Sequence, residues 1–248
     1  MNRIIVNADD LGYSMSVNQA IEKAIDAGVV TSASIMTNMS TEALNDAIRM
    51  TRQYKDVSFG IHLNLTEGSP LTVSNYMLKK GLLLQEEDGL IFNGLLFRRR
   101  YINNILRGEI YKEFDAQIKR LESMGVKPSH IDSHHHIHTE LFVLPVVVRL
   151  AKVHHIEKIR IVRNIGTSGL DRFCRILWRI YLSLLYKDVR TVDYFDSYSS
   201  FLQNRVKDGV DIELMCHPGG KLLYREEEDL LYSHPVFPYN KAISYHSL

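Results

Sequence analysis

The chain alternates short apolar runs rich in β-branched residues with longer stretches whose apolar positions recur at helical spacing. Residues 3–8 (Arg-Ile-Ile-Val-Asn-Ala) predict a buried strand that breaks at Asp9-Asp10-Leu11-Gly12. Ser16 followed by Gln19 is a capping-box signal. Val17, Ala20, Ile21, Ala24 and Ile25 then repeat with helical period, and Gly28 stops the helix. Further strands are predicted over 29–37, 57–65, 129–133, 158–163 and 210–216, with weaker signals at 190–195 and 242–246. Helices are predicted over 41–53, 96–124 and 140–154. Phe173, Ile176, Leu177, Ile180, Tyr181, Leu184 and Leu185 mark one more amphipathic helix. Residues 66–94 hold Gly-Ser-Pro, Lys-Lys-Gly and Glu-Glu-Asp-Gly and predict a long loop, a candidate lid. Strand and helix alternate along the whole chain, which argues for a parallel sheet wrapped by helices. About seven such units suit an α/β protein built as a (β/α) barrel, and no composition shift divides residues 1–248 into separate domains.

Composition narrows the function classes. The 30 basic residues against 29 acidic ones give a formal charge of +1, so no global field draws in nucleic acid. The two cysteines, Cys174 and Cys216, lack metal-type spacing and suggest no disulfide, as expected of a reducing compartment. The N-terminus has no secretory pattern, and no apolar run approaches the ~20 residues that span a bilayer. A cytoplasmic protein without a transmembrane segment is the expectation.

The chemistry concentrates in a few positions. Asp9-Asp10, His62, the run Asp132-Ser133-His134-His135-His136-Ile137-His138, and His217 each fall at or just beyond the C-terminal end of a predicted strand. In parallel α/β folds that edge is where sites are built, so these groups are expected to converge. A lone Asp-Asp is usually a helix cap or an Asx-turn, and a lone His62 a satisfied core histidine; together with the histidine run they read as a metal site. An aspartate and two histidines suit a divalent cation that keeps open positions for water and substrate. Asp10 is then the candidate ligand, Asp9 the candidate general base, and His217 the candidate acid for a leaving amine. His134 and His138 are one helical turn apart, while His134 and His136 are one strand repeat apart, and spacing alone leaves both pairings open. Asp132 is a candidate to orient a histidine; His135, His154 and His155 read as structural or exposed. Arg160 is a candidate to contact substrate or to steady a carboxylate, with a plain salt bridge as the alternative. Arg98-Arg99-Arg100 reads as a solvated helix face. Arg172, Arg175 and Arg179 form the polar side of the helix that carries Trp178. Its apolar side fits ordinary packing, an oligomer interface or, for a lipid-linked substrate, a membrane surface.

Four ordered segments carry a family resemblance. Val-Asn-Ala-Asp-Asp-Leu-Gly at 6–12, Gly-Ile-His-Leu-Asn-Leu-Thr at 60–66, Pro-Ser-His-Ile-Asp-Ser-His-His-His-Ile-His at 128–138 and Glu-Leu-Met-Cys-His-Pro-Gly at 213–219 resemble the YdjC family of carbohydrate deacetylases. The resemblance covers nearly the whole chain. It implies a distorted (β/α) barrel related in mechanism to NodB-type deacetylases. It also implies one divalent metal held by Asp10, His62 and His134, with Asp9 as base and His217 as acid. The implied activity is removal of acetyl groups from N-acetylated sugars or oligosaccharides, and the implied assembly is a homodimer. His138 and Arg160 are the substrate-contact candidates. Resemblance suggests Mg2+; imidazole ligands favour Zn2+ or Co2+. Leu11 stands where the family often has Phe, and Gly220 where many members have Tyr or Phe, a difference that bears on the sugar platform. Two alternatives remain: a phosphoesterase, which needs a second ion and further ligands, and a glycan-binding protein without catalysis.

Overall fold

The computed structural model describes residues 1–94, 103–220, 225–237 and 240–248. Its elements run β1 (Arg3–Leu11), α1 (Met15–Asp26), β2 (Ser32–Ile35), α2 (Thr41–Gln53), β3 (Ser58–Leu63), α3 (Asn75–Lys79), β4 (Leu83–Glu86), β5 (Gly89–Phe92), α4 (Asn104–Ser123), β6 (Ile131–Ser133), α5 (Leu144–Val153), α6 (Gly169–Leu185), β7 (Tyr194–Ser197), α7 (Tyr198–Gln203), β8 (Asp211–Cys216), α8 (Arg225–Ser233) and β9 (Lys241–Ala242).

β1 is the central strand. It pairs in parallel with β2 on one side and β8 on the other, and β9 joins its first residues. The sheet order is β6-β3-β2-β1-β8-β7, all parallel. Both faces are covered, so the strands read as continuous apolar runs and not as alternating ones. Ile4, Ile5, Val6 and Ala8 of β1 have no exposed surface, nor do Ile212 and Leu214 on its neighbour β8 and Ile61 on β3.

The ring is completed irregularly, and here the sequence expectation of a fifth strand over 158–163 is corrected. That segment makes only isolated bridges, Ile131 with Ile159 and Lys158 with Arg190. Ile131 N donates to Lys158 O, Arg160 N to Ile131 O, and Asn164 N to Phe195 O. The segment is thus a joint between β6 and β7. Its backbone divides its hydrogen bonds between two edges, so no regular ladder forms, and the barrel is distorted at this seam.

Other boundaries moved for identifiable reasons. β1 continues through both aspartates to Leu11, so α1 begins at Met15. Its cap is Ser14, whose hydroxyl accepts from Val17 N, and not Ser16. Residues 66–94 carry α3 and the antiparallel β4–β5 hairpin instead of a structureless loop. α4 starts at Asn104 with Asn103 as its cap; the earlier part of the predicted helix, with Arg98-Arg99-Arg100, lies outside the described residues. α2 spans the predicted 41–53. α6 is present, but only Trp178 and Leu182 are buried, so its predicted apolar side faces outward. Among the described residues no helix is long and apolar enough to cross a membrane.

Candidate active site

An open cavity of about 820 Å3 lies at the C-terminal edge of the sheet. Asp9, Asp10, His62, His134 and His217 all line it. Neighbouring residues of a regular strand point to opposite faces, yet both aspartates reach the cavity. The reason is local. The β1–β2 register shifts between Ala8 and Leu11, and Asp10 adopts φ 68°. This bulge turns two consecutive carboxylates toward one space. The histidine run shows comparable strain: after β6 the chain enters a 3-10 turn over His134–Thr139, with His135 at φ 53° and His136 at φ 55°.

Asp10, His62 and His134 present one ligand atom each within 4.8 Å of one another. Asp10 Oδ1 lies 3.1 Å from His62 Nε2 and 2.8 Å from His134 Nδ1. The ring of His62 is oriented from behind. Its Nδ1 is 2.7 Å from Asp132 Oδ1 and 3.0 Å from the Ser34 hydroxyl, which itself donates to Asp132 Oδ2 at 2.8 Å. Asp132 sits directly across from His62 in the β3–β6 register. A carboxylate behind an imidazole, leaving the far nitrogen aimed at a shared point, is the arrangement that metal-binding histidines use.

The electrostatics agree with that donor set. Burial works against charge on His62, but Asp132 and Asp10 outweigh it and push the imidazole up to about 10. Burial would also lower His134, and hydrogen bonding to Asp10 raises it instead. Asp10 shows the reverse: burial favours its neutral form, yet His134 and His62 hold it well below the usual carboxylate range. The pocket is built to carry positive charge between its carboxylates, and a divalent cation in place of the imidazole protons satisfies the same field. Asp10, His62 and His134 therefore fit a divalent metal by geometry, orientation and charge.

Asp9 is 1% exposed and held from three directions. Asn7 Nδ2 donates to Oδ1 at 2.8 Å, and Arg160 donates through Nη2 to Oδ1 at 2.7 Å and through Nη1 to Oδ2 at 2.6 Å. His217 Nε2 stands 3.9 Å from Asp9 Oδ2, at the turn that follows β8. Arg160 also pairs with Asp132 at 2.8 Å and with Glu213 Oε1 at 2.7 Å.

The two substrate-contact candidates are corrected. Arg160 and His138 are both fully buried and neither lines the cavity. Arg160 steadies carboxylates. His138 bridges the Ser133 hydroxyl at 2.5 Å and Arg160 O at 3.2 Å, and burial lowers its imidazole to about 3. His135 and His136 face the cavity instead; His135 reads from sequence as structural or exposed, and the space it is open to is this cavity. Thr66 Oγ1 lies 2.8 Å from His135 Nδ1. Glu67, inside the predicted loop, lines the cavity, receives the Tyr13 hydroxyl at 2.9 Å, and forms a second ligand-type group with His134 and His135. His154 is structural as expected, bonded to Asp115 and Glu122.

Several contributors escaped the sequence reading although a signal existed. Asn7, Ser34 and Glu213 are polar residues inside otherwise apolar strands, and each is buried and bonded into this network. Arg163, the single Lys or Arg among the described lining residues, is anchored through Nε to Asp196 Oδ1 at 2.8 Å.

Comparison with known proteins follows the same outline. The model of a family described as YdjC-like protein matches residues 3–236. A carbohydrate deacetylase of Geobacillus stearothermophilus is 36% identical over 215 residues, covering 86% of this chain and 78% of its own. One from Halalkalibacterium halodurans is 33% identical over 216 residues, covering 87% and 84%. The crystal structure of an Enterococcus faecalis protein, provisionally described as a cellobiose-phosphate cleavage protein, matches with a TM-score of 0.74 at 25% identity. That match covers 99% of this chain and 98% of the other.

Proposed function

This chain belongs to the YdjC-like protein family, and from that premise we propose that it is a metal-dependent carbohydrate N-deacetylase. The observation that carries the proposal is the convergence of Asp10, His62 and His134 in the cavity where Asp9 and His217 approach to 3.9 Å. The names of the relatives, carbohydrate deacetylases, supply the substrate class.

In this reading Asp10, His62 and His134 hold one divalent cation. Such a cation lends Lewis acidity to an amide carbonyl and to a water molecule. The chain's own groups do the rest. Asp9, fixed by Arg160 and Asn7, keeps a lone pair for the proton of the attacking water. Water adds to the acetamide carbonyl carbon, and Asp9 takes its proton. As the C–N bond breaks, His217 gives a proton to the departing nitrogen. Acetate and a free amino sugar leave. Arg163 offers a contact for an anionic substituent on the sugar, such as the phosphate in the description of the Enterococcus faecalis protein.

Two imidazoles among three ligands favour Zn2+ or Co2+, whereas the family resemblance favours Mg2+; activity of the metal-stripped protein after adding each ion decides between them. The test of the function is acetate release from N-acetylated mono- and oligosaccharides, with and without chelator. Asp9→Asn should keep the metal and lose turnover, and His62→Ala should lose both. Full activity in Asp9→Asn would sink the assignment of the base. Glu67, His134 and His135 motivate a second reading, a two-ion phosphoesterase. Two ions per chain with phosphate release and no acetate release would favour it.

A further inference from the structure

Glu67, His134 and His135 enclose a second space beside the centre of Asp10, His62 and His134. Glu67 Oε1 lies 3.7 Å from His134 Nε2 and 3.9 Å from His135 Nε2. Those separations are too long for hydrogen bonds. They suit donors that share one cation, because two atoms each about 2.1 Å from an ion stand at most ~4.2 Å apart. His62 shows the alternative: Asp132, a carboxylate that orients an imidazole directly, stands 2.7 Å from it. His134 is only 9% exposed, and its Nε2 is buried without a hydrogen-bond partner among the described residues. A buried nitrogen of that kind needs an explanation, and an ion is one.

Each donor is aimed from outside the space. Asn64 Oδ1 accepts from Thr66 N at 2.9 Å and from Glu67 N at 3.2 Å, which fixes the turn after β3. The Thr66 hydroxyl gives its one proton to Asn64 Oδ1 at 3.1 Å, so it accepts from His135 Nδ1 at 2.8 Å. The lone pair of His135 is then on Nε2, toward Glu67. The Tyr13 hydroxyl donates to Glu67 Oε2 at 2.9 Å and leaves Oε1 for the two imidazoles. The left-handed backbone of His135, at φ 53°, sets its ring against that of His134 with centroids 4.1 Å apart. Electron-pair donors thus face one another across a gap, each held by a partner behind it, as metal-binding side chains are. Charge points the same way. Asp9, Asp10 and Glu67 line the cavity against Arg163, which is drawn onto Asp196.

We propose that Glu67, His134 and His135 form a seat for a second divalent cation of the Zn2+ or Co2+ class. Its sharing of His134 rests on the metal centre proposed above. A neutral imidazole has one lone pair, so a ring that serves both cations releases its N–H proton to solvent. The second cation therefore binds in a separate, weaker step. Two ions per chain are then compatible with a deacetylase, and an ion count of two does not by itself select the phosphoesterase.

The experiment is calorimetric titration of Co2+ into the metal-stripped full chain, with bound metal counted after gel filtration. Wild type should take one equivalent tightly and a second weakly. Glu67→Gln and His135→Ala should keep the tight step and weaken the second by at least ~10-fold, and Tyr13→Phe, which removes only the partner behind Glu67, should weaken it by about 10-fold. Asp10→Asn should lose the tight step and keep the other. His134→Ala should lose both. Far-UV spectra report whether each variant is folded, and Glu67→Gln and His135→Ala test the seat independently. No binding, or a single equivalent that needs Asp10, overturns the proposal. So does a second equivalent that survives both Glu67→Gln and His135→Ala. A single equivalent that needs Glu67 and not Asp10 would uphold this seat and count against the Asp10 centre.

Discussion

Arg160 donates one terminal nitrogen to each carboxylate oxygen of Asp9, at 2.6 and 2.7 Å, from a position with no exposed surface. The same guanidinium serves Asp132 and Glu213, so one buried cation answers three buried carboxylates. Breaking a buried pair by removing one partner costs about 3–5 kcal/mol, because the other charge is left uncompensated. Arg160→Met should destabilise the fold by at least that amount in urea titration. Arg160→Lys keeps a charge but loses the planar fork that reaches Asp9 and Glu213 together. It should retain the fold and lose about 100-fold in acetate release through misplacement of Asp9. Equal turnover in Arg160→Lys would mean that Asp9 needs only a nearby charge.

Glu213 lies on the far side of Arg160 and receives the Tyr245 hydroxyl at 2.5 Å. Burial pushes its carboxyl up to about 7, against the opposing influence of Arg160 and Tyr245. The unfolded value is near 4.5, so the folded state binds the extra proton. The corresponding stability is fully present below pH 4.5 and is lost as pH rises through about 7. Glu213→Gln carries no such proton. Its stability relative to wild type should therefore rise between about pH 5 and pH 8, by on the order of 1–3 kcal/mol in paired urea titrations. No relative gain would show that Arg160 keeps Glu213 ionised throughout.

Much of this architecture is legible in the residues. The apolar runs locate the strands that form the sheet, and polar residues at their ends locate the rim. Asp10, His62 and His134 converge because each closes or follows a parallel strand. What periodicity could not carry is direction. Nothing in the spacing of Asp9 and Asp10 announces the bulge that turns both inward. Arg160 reads as a residue that steadies a carboxylate or contacts substrate, and spacing does not choose between them; its length lets it reach inward beneath the site to the carboxylates while its backbone serves as a joint. The α6 pattern gives an apolar side correctly but not which way it faces. Amphipathic period reports the existence of two faces, and only the tertiary anchor, Trp178 and Leu182, decides between core and surface.

Asp132 fixes the tautomer of His62, since a proton on Nδ1 directed at Asp132 leaves Nε2 as the electron-pair donor. Asp132→Asn retains size and polarity but weakens that preference and removes a charge from behind the ring. The expected outcome is a 10- to 100-fold loss of divalent-cation affinity, measured by calorimetric titration of the metal-stripped protein. Asp10→Asn should lose more, because it removes the negative charge of the proposed ligand itself. Cation binding that is undiminished in both variants would move the ion away from this pocket.

Gly60 tests how the floor of the barrel supports the rim. A Cβ built there would stand 2.4–2.6 Å from three atoms of the His130 ring, closer than real contacts allow. The ring has no easy retreat. It is fully buried and stacked on Tyr245 with centroids 3.7 Å apart and planes 12° from parallel. Tyr245 is itself held by its N–H to the Ser58 hydroxyl, by Lys158 at its carbonyl oxygen, and by its hydroxyl to Glu213. Gly60→Ala should cost about 1–3 kcal/mol as an overpacked core does. The clash is with a side chain, so shortening that side chain should relieve it. The pair Gly60→Ala with His130→Ala should be more stable than the sum of the single losses by at least ~1 kcal/mol in a double-mutant cycle. Strict additivity would mean that the strand backbone, and not the imidazole, absorbs the added methyl group. Displacement of His130 also pushes Tyr245 from Glu213, so Gly60→Ala should slow acetate release through Arg160 and Asp9, with cation affinity unchanged.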